Sequence, residues 1–238
     1  MKFKISNINN IVFFIFLYLS LIAGFLNGES LNYGSYGDWV NGNKEVISDF
    51  SSNFLYTFLN YDDYAHRHSP IYLIFLSLFL DLGFELDQVR LIHLHLCILL
   101  IVIFYKCLKL KFKNINNNYL VALSFIIFLS PTFRSLTIWP DSRIPGLIFF
   151  VLTIYFFLKF KKTSCHKYMW YTCVTLVVSS YISPNFSIFF PYFFFFFLKK
   201  VKLKKLSLLI AFNFLASLPI LYYIFVLDVN FLGAGKTP

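Results

Sequence analysis

The chain has 238 residues, of which 58% are hydrophobic, 22% are aromatic and only 13% are charged. A soluble domain of this size needs far more charged surface, so the composition excludes a soluble globular enzyme and indicates a helical membrane protein. The net charge of +10 comes mainly from lysines that flank apolar runs. This placement is typical of membrane anchoring and argues against nucleic acid as a partner.

The charged residues separate into two populations along the sequence. Fifteen lysines lie in four short clusters, at residues 2–4, 106–113, 159–167 and 199–205. All eleven acidic residues and all four arginines lie outside these clusters. They occupy the stretches 29–90 and 134–143, with Asp228 after the last cluster. Because lysine-rich loops of membrane proteins face the cytoplasm, the pattern predicts a cytoplasmic N-terminus. It places the acids and arginines on the outer face, here of a bacterial inner membrane.

Eight apolar runs follow one another, at residues 11–27, 69–83, 89–105, 119–138, 144–160, 168–183, 184–198 and 206–227. A membrane-spanning helix needs about 20 apolar residues. The lysine clusters allow only one crossing between residues 67 and 106, although two runs lie there. Run 69–83 is short and begins with Ser69-Pro70, so we expect it to form a helix at the outer interface.

These expectations define an all-α, polytopic membrane protein with about seven transmembrane helices in a single domain, residues 1–238. The first external loop is predicted to span residues 28–68, and loops of this length are usually functional or disordered. Apolar residues recur in it at helical spacing, which predicts an amphipathic helix on the membrane surface. They are Val46, Ile47, Phe50, Phe54, Leu55, Phe58 and Leu59.

A series of short motifs begins in this loop and continues beyond it. The residues are Asp38, then His68-Ser69-Pro70-Ile71-Tyr72, then Gly83 and Arg90, then Leu129-Ser130-Pro131 through Arg134 to Asp141. In the order of these motifs and their spacing against the helices, over about residues 11–200, the chain resembles the GT-C membrane glycosyltransferases. The members nearest in pattern are protein O-mannosyltransferases, aminoarabinose transferases and related bacterial transferases.

The resemblance implies a seven-helix module with interfacial helices in its first external loop. Members of the family continue into further helices and often a soluble domain, so these residues are expected to correspond to the N-terminal module. The implied activity is transfer of a sugar from a polyprenyl-phosphate donor to a lipid, glycan or protein acceptor at the outer face. The alternatives are a non-catalytic membrane subunit that pairs with a partner chain, and a transporter or flippase component of surface-glycan assembly.

Transfer of this kind needs a carboxylate that accepts the proton of the acceptor hydroxyl, and groups that hold the leaving phosphate. Asp38 is the predicted base, with Asp49, Asp62 and Asp63 as alternatives. The predicted substrate- or phosphate-binding residues are His68, Arg90, Arg134, Asp141 and Arg143. No cofactor is predicted, and a divalent metal held by Asp62, Asp63, His66 and His68 is left open, since carboxylates and imidazoles suit such ions.

Overall fold

The computed structural model describes residues 5–30, 33–64, 66 and 68–225. Within this part of the chain every regular element is helical and no strand occurs, which confirms the predicted all-α class. The α-helices are α1 (Ile5–Leu26), α2 (Tyr33–Asp38), α3 (Lys44–Ser52), α4 (Phe54–Leu59), α5 (Ile71–Asp81), α6 (Leu86–Lys111), α7 (Asn117–Phe125), α8 (Pro131–Ile138), α9 (Arg143–Thr163), α10 (His166–Ile182), α11 (Phe190–Leu198) and α12 (Leu203–Phe225). A helix, or a pair of helices, occupies each of the eight apolar runs.

Two of the described helices, α6 and α9, are long and apolar enough to cross a membrane. At about 1.5 Å per residue they measure roughly 39 and 31 Å, against a hydrocarbon core of about 30 Å. A third candidate is the bent pair formed by residues Asn117–Leu129 and Pro131–Ile138. The described residues therefore contain two helices that could span a membrane, or three if the bent pair is one span. The seven predicted crossings stay a prediction.

The run predicted as one helix at 119–138 is broken, and its two halves meet at 71°. Pro131 has no backbone N–H to continue the hydrogen-bond ladder. Ser130 is extended, and its hydroxyl accepts a hydrogen bond from the backbone N–H of Phe133 at 3.3 Å, which caps the new helix. The bend turns α8 back onto α1, α2 and α6.

Helices α6 and α9 pack side by side and run in the same direction. Lys111 and Lys161, near their C-terminal ends, line one groove. At the other end Arg90 of α6 lies against Trp139, four residues before α9 begins. We call these the lysine end and the arginine end of the bundle. The lysines and the arginines, which are separated along the sequence, thus lie at opposite ends of these two helices.

Residues 33–64, which belong to the segment predicted as the first external loop, form a helical layer with α5 at the arginine end. Helix α5 has 11 residues and is about 16 Å long, too short to cross the hydrocarbon core. It packs against α3, whose apolar face, Val46, Ile47 and Phe50, is buried. Asn53 ends α3 and caps α4 by accepting a hydrogen bond from the backbone of Tyr56. The predicted amphipathic helix is therefore divided into two shorter ones.

Close packing between α9 and α10 depends on Gly146. A Cβ atom at this position would lie 2.6 Å from Cβ of Ser183 and 3.1 Å from the ring of Phe186. The hydroxyl of Ser179 donates to the carbonyl oxygen of Gly146 at 2.8 Å. Small residues allow such close approach between membrane helices, where packing drives association.

Gly146→Ala is expected to lower the thermal stability of the protein in detergent. An unhindered change of this kind in a helix would add about 1 kcal/mol through helix propensity, but overpacking costs about 1–3 kcal/mol. The measurement is thermal unfolding followed by circular dichroism, with Ser207→Ala at an exposed position of α12 as the control. A melting temperature raised by Gly146→Ala would show that the contact is looser than described.

Candidate functional site

Asp38 is presented by an unusual helical turn. Helix α2 runs directly into a π-helical turn, Trp39–Asn43, which continues into α3. The backbone N–H of Lys44 donates to the carbonyl oxygen of Trp39, five residues earlier. Such turns are rare and occur frequently at functional sites. Here the turn buries Trp39 and Asn43 while Asp38 remains exposed.

The same turn is joined to the segment that precedes α9. The side chain of Asn43 donates to the carbonyl oxygen of Pro140 at 2.9 Å, in a buried position. Tyr36 packs edge-on against Trp139, with ring centroids 4.8 Å apart. These contacts place the start of α9 beside Asp38, more than 100 residues away in the sequence.

Arg143, the first residue of α9, connects two carboxylates. Its Nη2 donates to Asp38 Oδ2 at 2.9 Å and to Asp141 Oδ2 at 2.6 Å. Its Nε and its backbone N–H both donate to Asp141 Oδ1, at 2.8 and 2.7 Å. The side chain of Asp141 is only 4% exposed, whereas those of Arg143 and Asp38 are 38% and 55% exposed.

The two carboxylates therefore have different chemical characters. Burial by itself would raise the pKa of Asp141, but the hydrogen bonds and the charge of Arg143 outweigh it and hold that pKa below its usual value. Asp141 is thus an ionised, internally satisfied anchor for Arg143. Asp38 accepts a hydrogen bond from the same guanidinium, and its side chain is exposed to solvent.

These residues line a cavity of about 500 Å³. Its walls come from the π-helical turn, the end of the external loop and the start of α9: Gly34, Gly37, Asp38, Asn41, Gly42, Asn43, Tyr61, Tyr64, His66, His68, Leu73, Asp141, Ser142 and Arg143. Thus Asp38, His68, Asp141 and Arg143, which the sequence predicted as site residues, lie around one cavity.

His66 lines this cavity, and its ring lies close to Gly42. A Cβ atom on Gly42 would lie 3.1 Å from Cε1 of His66, so a larger residue would displace the ring. The other face of the ring stacks on Tyr61, with centroids 5.8 Å apart. The hydroxyl of Tyr61 donates to the carbonyl oxygen of His68 at 2.8 Å, so Tyr61 contacts both histidines.

A second cavity of about 380 Å³ adjoins the first and shares Asn41, Gly42 and Tyr64 with it. Asp49 and Asp63, two of the alternative bases, line this second cavity. Asp49 accepts a hydrogen bond from the Tyr64 hydroxyl at 2.6 Å. Burial and the bonded Asp49 carboxylate raise the pKa of Tyr64 to about 12. Asp62 is not among the described residues that line either cavity.

Arg90 and Arg134, both predicted to bind phosphate, lie outside these cavities and have internal partners. The guanidinium of Arg90 lies over the rings of Trp139 and Phe25, 3.9 and 4.8 Å from their centroids, and Nη1 donates to Asp87 at 2.7 Å. Arg90 as a whole is only 8% exposed.

Arg134 forms a two-pronged ion pair with Glu29. Its Nε donates to Glu29 Oε1 at 2.7 Å and its Nη2 donates to Oε2. The guanidinium also donates to the carbonyl and hydroxyl oxygens of Ser20. Gly24 leaves space for this pair, because a Cβ atom there would lie 2.2 Å from Glu29 Oε2. Arg134 therefore ties α8 to α1 in this structure.

The described residues contain no group of three His, Cys, Asp or Glu side chains arranged to hold a metal ion. The metal hypothesis for Asp62, Asp63, His66 and His68 thus gains no support from their placement.

Sequence reasoning missed Gly42, Asn43, Tyr61 and Tyr64 as cavity residues. The short run Asn41-Gly42-Asn43 after Trp39 was the available signal for an irregular helix.

His66→Gln is expected to weaken the pH dependence of folding stability between pH 6.5 and 4. Burial, with repulsion from His68, lowers the pKa of His66 from 6.5 to about 4. As pH falls through this window, His66 binds a proton in the unfolded chain but not in the folded chain. The contribution of this residue to the free energy of unfolding is therefore fully present above pH 6.5 and is lost toward pH 4. Thermal unfolding of both proteins at several pH values measures the difference.

His166→Gln, which removes an exposed imidazole at the start of α10, is the matched control. Parallel stability curves for the wild type and His66→Gln would contradict the burial of a neutral His66.

No protein-family model, no curated protein and no solved structure matches this chain. Function is therefore inferred from the cavity and from the sequence motifs that meet in it.

Proposed function

We propose that this chain is an integral membrane glycosyltransferase, or the N-terminal module of one. It transfers a sugar from a polyprenyl-phosphate donor to a hydroxyl of a lipid, glycan or protein acceptor at the outer face of a bacterial inner membrane. One observation carries the proposal. Asp38, His68, Asp141 and Arg143, which come from separate parts of the sequence, line a single cavity at the arginine end of the bundle.

The reaction forms a bond between the acceptor oxygen and the anomeric carbon of the sugar. The proton of the acceptor hydroxyl passes to a base, and the bond from the anomeric carbon to the phosphate oxygen breaks, so that the phosphate leaves with the electron pair. Asp38 is the better placed of the two paired carboxylates for the base. Its side chain is 55% exposed, whereas both oxygens of Asp141 accept bonds from Arg143.

Arg143 is the group in the cavity best suited to a phosphate oxygen. Its Nε and Nη2 are used by Asp38 and Asp141, while none of the described residues accepts a bond from its Nη1. The carboxylates hold the guanidinium in one orientation, and a planar guanidinium matches phosphate geometry.

The membrane arrangement proposed with this function has seven crossings, a cytoplasmic N-terminus and α5 lying at the outer interface. The length of α5 supports this arrangement, because about 16 Å cannot cross the hydrocarbon core. The parallel course of α6 and α9 also supports it. It puts the external loop and the start of α9 at one membrane surface and the lysines at the other.

Asp38→Asn is expected to lower the transfer rate at least about a hundredfold, because general-base catalysis contributes roughly 10²–10⁴ to rate. The measurement is turnover of a radiolabelled polyprenyl-phosphate sugar by the purified chain in lipid nanodiscs. Asp49→Asn, in the adjoining cavity, is the matched control and should stay within about threefold of the wild type. Turnover retained in Asp38→Asn and lost in Asp49→Asn would move the base to the second cavity. Donor binding without turnover in the wild type would favour a non-catalytic subunit or a flippase component.

Arg143→Lys is expected to raise the KM for the donor about tenfold or more, because the ammonium cannot hold both carboxylates and also present a flat edge to the phosphate. Arg134→Lys, which disturbs an ion pair outside the cavity, should lower the melting temperature and leave the KM nearly unchanged. An unchanged KM in Arg143→Lys would remove Arg143 from donor binding.

A further inference from the structure

A second concave surface lies at the lysine end of the bundle, far from the cavity that contains Asp38. It is a groove of about 510 Å³ between α6, α9 and the helical segment 184–198. Its walls are mostly apolar and aromatic, with Phe104, Phe150, Phe157 and Tyr192 among them. Of the described residues that line it, only Lys111 and Lys161 are charged.

Among the described residues neither lysine has an acidic partner. The sequence contains no Asp or Glu between residues 88 and 140 or between residues 142 and 227. Among the ion pairs of the described residues none includes Lys111 or Lys161. Lys161 instead lies over the rings of Phe157 and Phe196, with Nζ 5.8 and 5.5 Å from the centroids. The described residues therefore supply no carboxylate as a counter-charge for these ammonium groups.

Helix dipoles account for part of this arrangement. Lysines near the C-terminal end of a helix are stabilised by its partial negative charge, and both lysines occupy such positions. That effect is the same on every face of the helix. It does not explain an apolar groove that begins beside these two lysines, with both ammonium groups bordering it.

We propose that this groove binds an anionic phospholipid from the leaflet at the lysine end. The phosphate lies between Lys111 and Lys161, and an acyl chain packs along Phe150, Phe157 and Tyr192. The complementarity is twofold, because the groove offers two unpaired positive charges to a negative headgroup and an aromatic wall to a hydrocarbon chain. Basic residues between helices at a cytoplasmic surface recognise anionic headgroups in this way.

This lipid is not the sugar donor whose phosphate reacts. Lys161 is 18 residues beyond Arg143 in the same helix. The two residues are therefore about 27 Å apart along the axis of α9. A phosphate held at the lysine end cannot reach Asp38. The proposal is therefore independent of the proposed transferase activity.

The test is lipid retention by the purified chain, measured by native mass spectrometry during titration with phosphatidylglycerol or with phosphatidylcholine of the same acyl chains. The wild type should retain one phosphatidylglycerol at least about tenfold more tightly than phosphatidylcholine. Each of Lys111→Gln and Lys161→Gln should weaken retention about fivefold, and the double variant about thirtyfold. Equal retention of the two lipids by the wild type would overturn the proposal.

The double variant Lys109→Gln/Lys162→Gln removes the same charge from neighbouring positions that do not line the groove. It should weaken retention less than about twofold, and a loss equal to that of the groove variant would show a diffuse surface charge instead of a site. Ile154→Trp, which fills the groove and keeps both lysines, should also reduce retention. Glycerol phosphate should not displace the lipid, since displacement would identify a site for free anions.

Discussion

The guanidinium of Arg143 is the interaction on which the arrangement at the arginine end depends. It binds Asp38, the last residue of α2, and Asp141 of the segment before α9, so that three charged groups lie together at this end of the bundle. A buried carboxylate such as Asp141 is costly unless it is paired and hydrogen-bonded. Arg143 satisfies both of its oxygens and remains partly exposed. The same pairing that stabilises the turn therefore holds a cation and an exposed carboxylate side by side in the cavity.

Backbone shape decides what lies around this pair. The π-helical turn at Trp39–Asn43 changes the direction in which α3 leaves α2, and Gly42 lets the His66 ring approach the helix closely. Asn43 then holds the turn against Pro140. These contacts are formed by small or amide side chains. They leave a polar cavity where a regular amphipathic helix would have packed its neighbours closely.

The two ends of the bundle have opposite chemistry, as the proposed membrane arrangement requires. Acids and arginines meet at one end, where hydrogen bonds among them can be completed by water and by one another. The other end has lysines without acids, so its charges are balanced by the surrounding phase. In the two separate proposals the first end performs the transfer, and the groove at the second binds an anionic phospholipid. The ion pair of Arg134 and Glu29 lies in neither the cavity nor the groove, and it holds α8 against α1.

Composition and periodicity were sufficient to predict the helices, because apolar runs and lysine clusters are local properties that a bilayer selects directly. The sequence also predicted several site residues, and four of them, Asp38, His68, Asp141 and Arg143, line one cavity in the structure. The roles assigned to them stay a prediction. The sequence did not reveal that Arg134 pairs with Glu29, or that Arg90 stacks on Trp139 and Phe25. Nor did it show that Gly42 supports His66. Each of those contacts joins residues distant in sequence, and only the packing of the helices determines which groups meet and therefore which arginines are left for a ligand.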